Sequence, residues 1–351
     1  MGRVTLQTIA DELGVSRTTV SNAYSRPDQL APALRERILA TAQRLGYSGP
    51  DAAARTLRRG RAGAIGLLFT ESLGFVLSDP FAVSFLHGIA ETAEQYHSGL
   101  LLASSRQDDG GVDAVQNAVV DGFCIYCLEE DSRAFEAIRR RNLPYVQTFG
   151  TSSDPDVSFA AVDDRGAAAS AARHLIELGH RRLAVISDCG IPDGHLGPVD
   201  PGSLQYGTDA KSRMTGYLDA AREAGLDPAS VQFAHATDNS MDAGNAAMKR
   251  LLDLEPRPTG VLSITDMMAL GALTALDEHG LAAGRDVSVV GFDDVPQAAS
   301  AGLTTVRQPG REKGRVAARL LLDPPADPAD RRVVLPTELV ARASSGPPRS
   351  D

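Results

Sequence analysis

The chain has 351 residues, 43% hydrophobic and 23% charged, proportions that exclude global disorder and, at roughly 100 to 200 residues per domain, predict two or three domains. Its net charge is −10, and it holds three cysteines, an odd and small number that fits a reducing compartment and not a disulfide framework. No apolar run approaches the roughly 20 residues of a bilayer span, and the start Met1-Gly-Arg-Val-Thr-Leu6 lacks a signal-peptide core, so a cytoplasmic protein with no membrane partner is expected.

The acidic average hides a basic head. Residues 1–61 carry ten arginines and five acids, the remainder 25 basic and 40 acidic residues. Phosphates would attract one end and be repelled by the other, which orients a protein on nucleic acid; a solvated charged face is the plainer alternative.

In the head, Leu6, Ile9, Ala10 and Leu13 fall on one face of a short helix that Thr5 can cap, and Gly14 ends it. Ser16 is placed to cap a second helix burying Val20 and Ala23, with Val15 in the turn. Arg17, Thr18, Ser21 and Asn22 share its opposite face. A third helix from Pro32 to Leu45 buries Leu34, Ile38, Ala42 and Leu45 before Gly46. A helix, a tight turn and a second helix with a hydrogen-bonding outer face is the arrangement that enters the major groove. There Arg17 can fork onto guanine and Asn22 can pair with adenine. The hydroxyls of Thr5, Ser16, Thr19 and Ser21 suit phosphate oxygens. On spacing alone a three-helix bundle with a polar face remains the alternative.

The string Val4-Thr-Leu-Gln-Thr-Ile-Ala-Asp-Glu-Leu-Gly-Val-Ser-Arg-Thr-Thr-Val-Ser-Asn22 resembles the headpiece of the lactose/galactose repressor (LacI/GalR) family. The resemblance implies that Arg17, Thr18 and Asn22 read bases. One departure is Ala31-Pro32, where the family usually has a serine capping the third helix. The segment Gly46-Tyr-Ser-Gly-Pro-Asp51 through Ala54-Arg55-Thr-Leu57 to Gly60 resembles the family's hinge helix. It is too short to be stable alone. The resemblance implies that it folds on an operator as a pair, Ala54 and Arg55 at the DNA and Leu57 wedged into a minor-groove step. An extra residue at Ser48-Gly49, and Asp51 where the family has asparagine, depart from that pattern.

Beyond Ala64, strand-like runs alternate with helical patterns: 64–69, 100–103, 122–128, 144–149, 159–162, 182–187, 260–264 and 287–292. Alternation of this kind predicts an α/β body with parallel sheets, and ligands bind beyond the carboxyl ends of such strands. Cys124 and Cys127 form a C-x-x-C within one apolar strand and read as structural. Val162-Asp-Asp-Arg-Gly166, His174 to Ala184, Arg213-Met-Thr-Gly-Tyr217, Asp266 to Ala272, Val287 to Asp294 and Leu303-Thr-Thr-Val306 are similar to the family's sensor half. They imply two Rossmann-like lobes of periplasmic-binding-protein type joined by three crossovers around an effector. Arg213 and Asp293 would hold vicinal hydroxyls or an anionic ligand, with Asp266, Thr265 and Asp163 as further candidates. A strand-end role for Asp293 and a helix-cap role for Asp163 stay open, and His174 and His180 read as structural. The stretch 188–210 is expected to be a long loop covering the effector.

The expected division is headpiece 1–47, hinge 48–61, effector and dimerisation body 62–343, and a disordered tail 344–351. No leucine heptad follows, so a homodimer is expected. With no G-x-G-x-x-G, P-loop, G-x-S-x-G or spaced metal-ligand set, neither catalysis nor a cofactor or metal is expected. The reading is a repressor of a pseudo-palindromic double-stranded operator, controlled by a sugar-like effector acting as inducer or corepressor. The alternative is a sugar-binding protein of the same body that does not bind DNA.

Overall fold

The computed structural model describes residues 4–49, 61–106, 111–128, 131–150, 152, 154–200 and 208–349. Two compact units emerge, Met1–Gly63 and Ala64–Asp351.

The first unit holds α1 (Leu6–Leu13), α2 (Arg17–Ser25) and α3 (Pro32–Arg44). Thr5 caps α1 by accepting from the Thr8 amide at 3.3 Å, and Gly14 ends it at φ 64°, where a side chain would be strained. Ser16 caps α2, accepting from the Thr19 amide at 3.0 Å. No side chain caps α3, as Ala31-Pro32 foretells. Ile9, Ala10, Val20, Ala23, Ile38 and Ala42 form the buried centre, two from each helix. Arg44 pairs with Glu12 at 2.8 Å and ties α3 to α1.

The second unit contains two sheets. One has the order β12-β5-β4-β3-β1-β2 and the other β13-β11-β10-β9-β6-β8-β7. The first is built from β1 (Ala64–Phe69), β2 (Gly99–Ser104), β3 (Gly122–Tyr126), β4 (Tyr145–Gln147), β5 (Ser158–Val162) and β12 (Arg332–Leu335). The second is built from β6 (Leu183–Ser187), β7 (Leu196–Gly197), β8 (Gln232–His235), β9 (Gly260–Ser263), β10 (Ser288–Asp293), β11 (Thr304–Arg307) and β13 (Glu338–Val340). Pairing is parallel except β7 with β8 and β11 with β13. The chain therefore passes between lobes three times: after β5, between β11 and the Gly310–Leu322 helix, and between β12 and β13. Helices pair closely where glycines allow it. A Cβ on Gly88 would strike the Arg311 carbonyl and one on Gly314 the Phe85 carbonyl, so the Pro80–Gln95 and Gly310–Leu322 helices meet backbone to backbone.

All eight predicted strands form, with ends that match or differ by a residue or two in either direction. Strands β7, β8, β11, β12 and β13 were not foreseen. Two expectations need correction. The 188–210 stretch is not one free loop: Leu196 and Gly197 pair with Ala234 and Phe233 at the sheet edge, and Arg250 donates to the Gly194 carbonyl at 2.6 Å. Its residues 201–207 lie outside the described residues.

The tail is not disordered where it is described. Ser344 is buried; its amide donates to the Gly302 carbonyl at 2.9 Å and its carbonyl accepts from the Val289 amide at 2.8 Å. Here the polar, apolar-poor composition that predicts disorder instead supplies partners for the open edge of buried strands. His180 reads the same segment. Its Nε2 lies 2.9 Å from the Gly346 carbonyl, which only accepts, so Nε2 carries the proton, and Nδ1 faces the Thr259 hydroxyl at 3.0 Å.

Burial holds His180 below the ordinary histidine range. A depressed imidazole contributes its full stability above the unfolded value of about 6.5 and loses it as pH falls through the folded one. His180→Asn should therefore lower the thermal midpoint at pH 8, and the gap to wild type should narrow toward pH 5. A gap that is constant across a pH series of melting curves would refute this.

Candidate DNA-reading face and effector cleft

On α2, Arg17 and Thr18 are exposed while Ser21 and Asn22 are half-buried, and all four lie on the side opposite Val20 and Ala23. Helix spacing and the Ser16 cap fix this orientation: the apolar residues are drawn inward and the hydrogen-bonding ones left outward. Thr5 and Ser16 are exposed at the starts of α1 and α2, with Thr19 beside Ser16 at 2.8 Å between hydroxyls. The unit thus displays a short-hydroxyl rim around an Arg, Thr, Ser and Asn face. Ala54, Arg55 and Leu57 lie outside the described residues.

In the body, the strand ends converge on a cluster of buried charge. Arg213, on the Thr208–Glu223 helix, is 3% exposed. It donates to Asp164 at 2.8 Å and to the Ile264 carbonyl at 2.6 Å, and its plane lies 3.8 Å from the Phe292 ring centre. Asp293, at the end of β10, sits 4.0 Å from Arg213 and accepts from the Gln308 amide at 2.6 Å. Burial works against the guanidinium charge, yet Asp164, Asp209 and Asp293 together raise its pKa and keep it ionised. Burial pushes Asp293 well above the usual carboxylate range despite Arg213. Asp293 and Asp294 adopt φ 132° and 57°, a strained strand exit that aims the carboxylate inward.

Arg213 and Asp293 are thus brought together as the sequence suggests. The other three candidates are placed differently. Asp266 is fully buried, with one oxygen accepting from the Val295 amide at 2.9 Å and the other from the Thr305 hydroxyl at 2.5 Å. Its carboxylate ties the Asp266–Glu278 helix to the turn that follows β10 and to β11. Thr265 caps that helix and donates to Asn239 at 2.6 Å. Asp163 is exposed and caps the Asp164–Glu177 helix, accepting from the Gly166 amide at 2.9 Å. The carboxylate that meets Arg213 belongs to the next residue, Asp164.

Sequence reasoning also missed the opposite wall. Phe81, Tyr126 and Phe149 stack edge to face, Tyr126 and Phe149 at 4.4 Å between centres. Lys313 lies fully buried against them, its Nζ 3.4 Å from the Phe149 ring centre. Burial pushes its amine down to about 8, although Asp164 pulls the other way. Cys127 reaches across the lobes, its thiol donating to Asp209 at 3.8 Å. Burial raises all three thiols, Cys124 to about 12, which keeps them protonated and unreactive. The one sequence signal for Lys313 is its phase: it shares a helical stripe with Ala317, Leu320 and Leu321, all buried.

A helix-turn-helix unit with an outward polar face, and a two-lobed α/β body with a charged cleft at its strand ends, define a DNA-binding regulator that senses a small molecule. The model of the periplasmic binding protein-like domain matches residues 172–345. An HTH-type transcriptional regulator of Mycobacterium tuberculosis is 41% identical over 99% of this chain and 98% of its own. CelR of Thermobifida fusca is 33% identical over 97% of this chain and 98% of its own. A solved LacI-family regulator of Corynebacterium glutamicum is 34% identical, with a TM-score of 0.71 and 99% of each chain covered. A CelR–cellobiose complex is 29% identical, with a TM-score of 0.67, covering 98% of this chain and 100% of that one. The chain belongs to the LacI family of transcriptional regulators. No helix among the described residues is long and apolar enough to cross a membrane.

Proposed function

We propose that the chain is a homodimeric repressor whose affinity for a pseudo-palindromic operator is set by a sugar or sugar derivative bound between the lobes. Arg17, Thr18 and Asn22 read base edges, and Thr5, Ser16, Thr19 and Ser21 hold phosphates. Ala54, Arg55 and Leu57 of the hinge, residues 48–61, enter the minor groove. In the body, Arg213 and Asp293 are the effector's principal polar contacts, with Asp266 and Thr265 shaping the site and Asp163 at the crossover.

The observation that carries the effector reading is the cleft itself, where Arg213, Asp164, Asp293 and Gln308 form one buried network facing an aromatic wall of Phe81, Tyr126 and Phe149. Fixed polar groups opposite ring faces match a ligand with hydroxyl edges and C–H faces. The structure of CelR with cellobiose supports the same class of ligand. Effector and operator are linked because each favours one lobe arrangement over the other.

The test is selection of duplexes from a random pool with the full chain, followed by anisotropy titrations at fixed salt with and without sugars. A selected pseudo-palindrome whose affinity moves with at least one sugar supports the reading. No preference over random duplex, with or without sugars, defeats it.

A further inference from the structure

We propose that Lys313 selects a neutral polyhydroxylated effector by donating hydrogen bonds to its hydroxyl oxygens; this rests on the effector reading above and names the ligand's chemistry. Lys313 is completely buried, and among the described residues its Nζ has no hydrogen-bond partner. An ammonium carries three donors, and leaving them unmade inside a protein is costly. Arg213, the neighbouring cation, is better served: two of its N–H donors are taken by Asp164 and the Ile264 carbonyl. Of the two cations, only Lys313 is left without any hydrogen-bond acceptor among the described residues.

What Lys313 lacks is an acceptor and not a counter-charge. Burial opposes its charged form most, and Arg213 adds to that, while Asp164 and Asp209 favour it. Asp79 and Asp293 add two more buried carboxyl groups to the same region. Burial raises the Asp79, Asp164 and Asp293 carboxyls, so the preference for a neutral ligand rests on hydrogen-bonding capacity and not on repulsion. A second unmet group specifies the ligand further: Gln308 Oε1 is buried with no hydrogen-bond partner among the described residues, while its amide nitrogen is spent on Asp293. One open donor and one open acceptor, on the crossover and first turn leading into the same helix, call for groups that both accept and donate. A hydroxyl does both; a phosphate or carboxylate cannot donate to Gln308, and an ammonium cannot accept from Lys313. The Phe149 face beneath Nζ supplies the apolar floor.

The experiment measures melting of the full chain and of Lys313→Met, alone and with ribose, glucose, cellobiose or sorbitol, and with glucose 6-phosphate or glucuronate as charged counterparts. A ligand that binds the native state raises its melting point. Wild type should respond to at least one neutral compound and to no charged one more strongly. Lys313→Met should melt at or above the wild-type temperature without ligand, because a buried cation whose donors meet no acceptor is gone, and should lose the response, with affinity for the responding compound falling at least tenfold by calorimetry. Lower unliganded melting would make Lys313 a structural residue and overturn the proposal. So would a retained response, or a stronger response to the phosphate or uronate. A wild-type chain that ignores every compound would instead defeat the sugar reading itself.

Discussion

Replacing Arg17 or Asn22 by alanine is expected to erase operator discrimination while leaving binding to unrelated DNA almost unchanged. A good bidentate contact discriminates by about 1–3 kcal/mol, and in a dimer each substitution is felt in both half-sites. The loss is thus about 2–6 kcal/mol, or roughly 30-fold to 10⁴-fold. Neither change should unfold the headpiece, because its centre is Ile9, Ala10, Val20, Ala23, Ile38 and Ala42, and neither side chain belongs to it. The measurement is anisotropy on the wild-type-selected duplex and on a scrambled one, at several salt concentrations. Asn22→Ala should leave the salt slope intact, since an uncharged side chain releases no counterion. If both duplexes lose affinity equally, these residues hold phosphates and do not read sequence.

That face was legible in the sequence because everything that orients it is local. The caps at Thr5 and Ser16, the break at Gly14 and the apolar phase of each helix lie within a few residues of one another. Arg213 and Asp293 were legible through strings similar to the sensor half of the family. Their partners were not. Asp163 and Asp164 are adjacent and chemically identical on paper; only the start of the 164–177 helix decides that the first caps it and the second turns inward to Arg213. Lys313 and Gln308 enter the cleft because the chain crosses between lobes after β11, a long-range event with no local signature. The same cause hides β12 and β13, whose half-exposed residues pair with strands far away in sequence: β12 with β5, and β13 with β11. Ser344 to Gly346 look like a tail until β10 and His180 supply the groups that they satisfy.

Arg213→Met should have the largest effect on the body: a loss of about 3–5 kcal/mol, typical of removing one partner of a buried ion pair, together with the effector response. Methionine keeps much of the packing against Phe292 but leaves Asp164 and Asp293 without their cation and the Ile264 carbonyl without its donor. Lysine should not rescue, because a point charge cannot donate to Asp164 and Ile264 together while lying flat on the ring. The pH dependence gives the mechanism its own signature. Without Arg213 the buried carboxyl groups must fold protonated, so their folded pKa values rise further above the unfolded ones. Such groups favour the fold below the unfolded pKa and penalise it as pH rises through the folded value. The melting deficit of Arg213→Met should therefore shrink as pH falls from 7 toward 4, and Asp164→Asn in the same chain should recover part of it at pH 7. A variant that melts like wild type at every pH while failing to respond to effector would show that Arg213 serves the ligand and not the fold. The contrast with Lys313 is the sharpest consequence of the cleft's geometry: two buried cations within one site are expected to shift stability in opposite directions when neutralised, because, among the described residues, only Arg213 has hydrogen-bond acceptors in the protein.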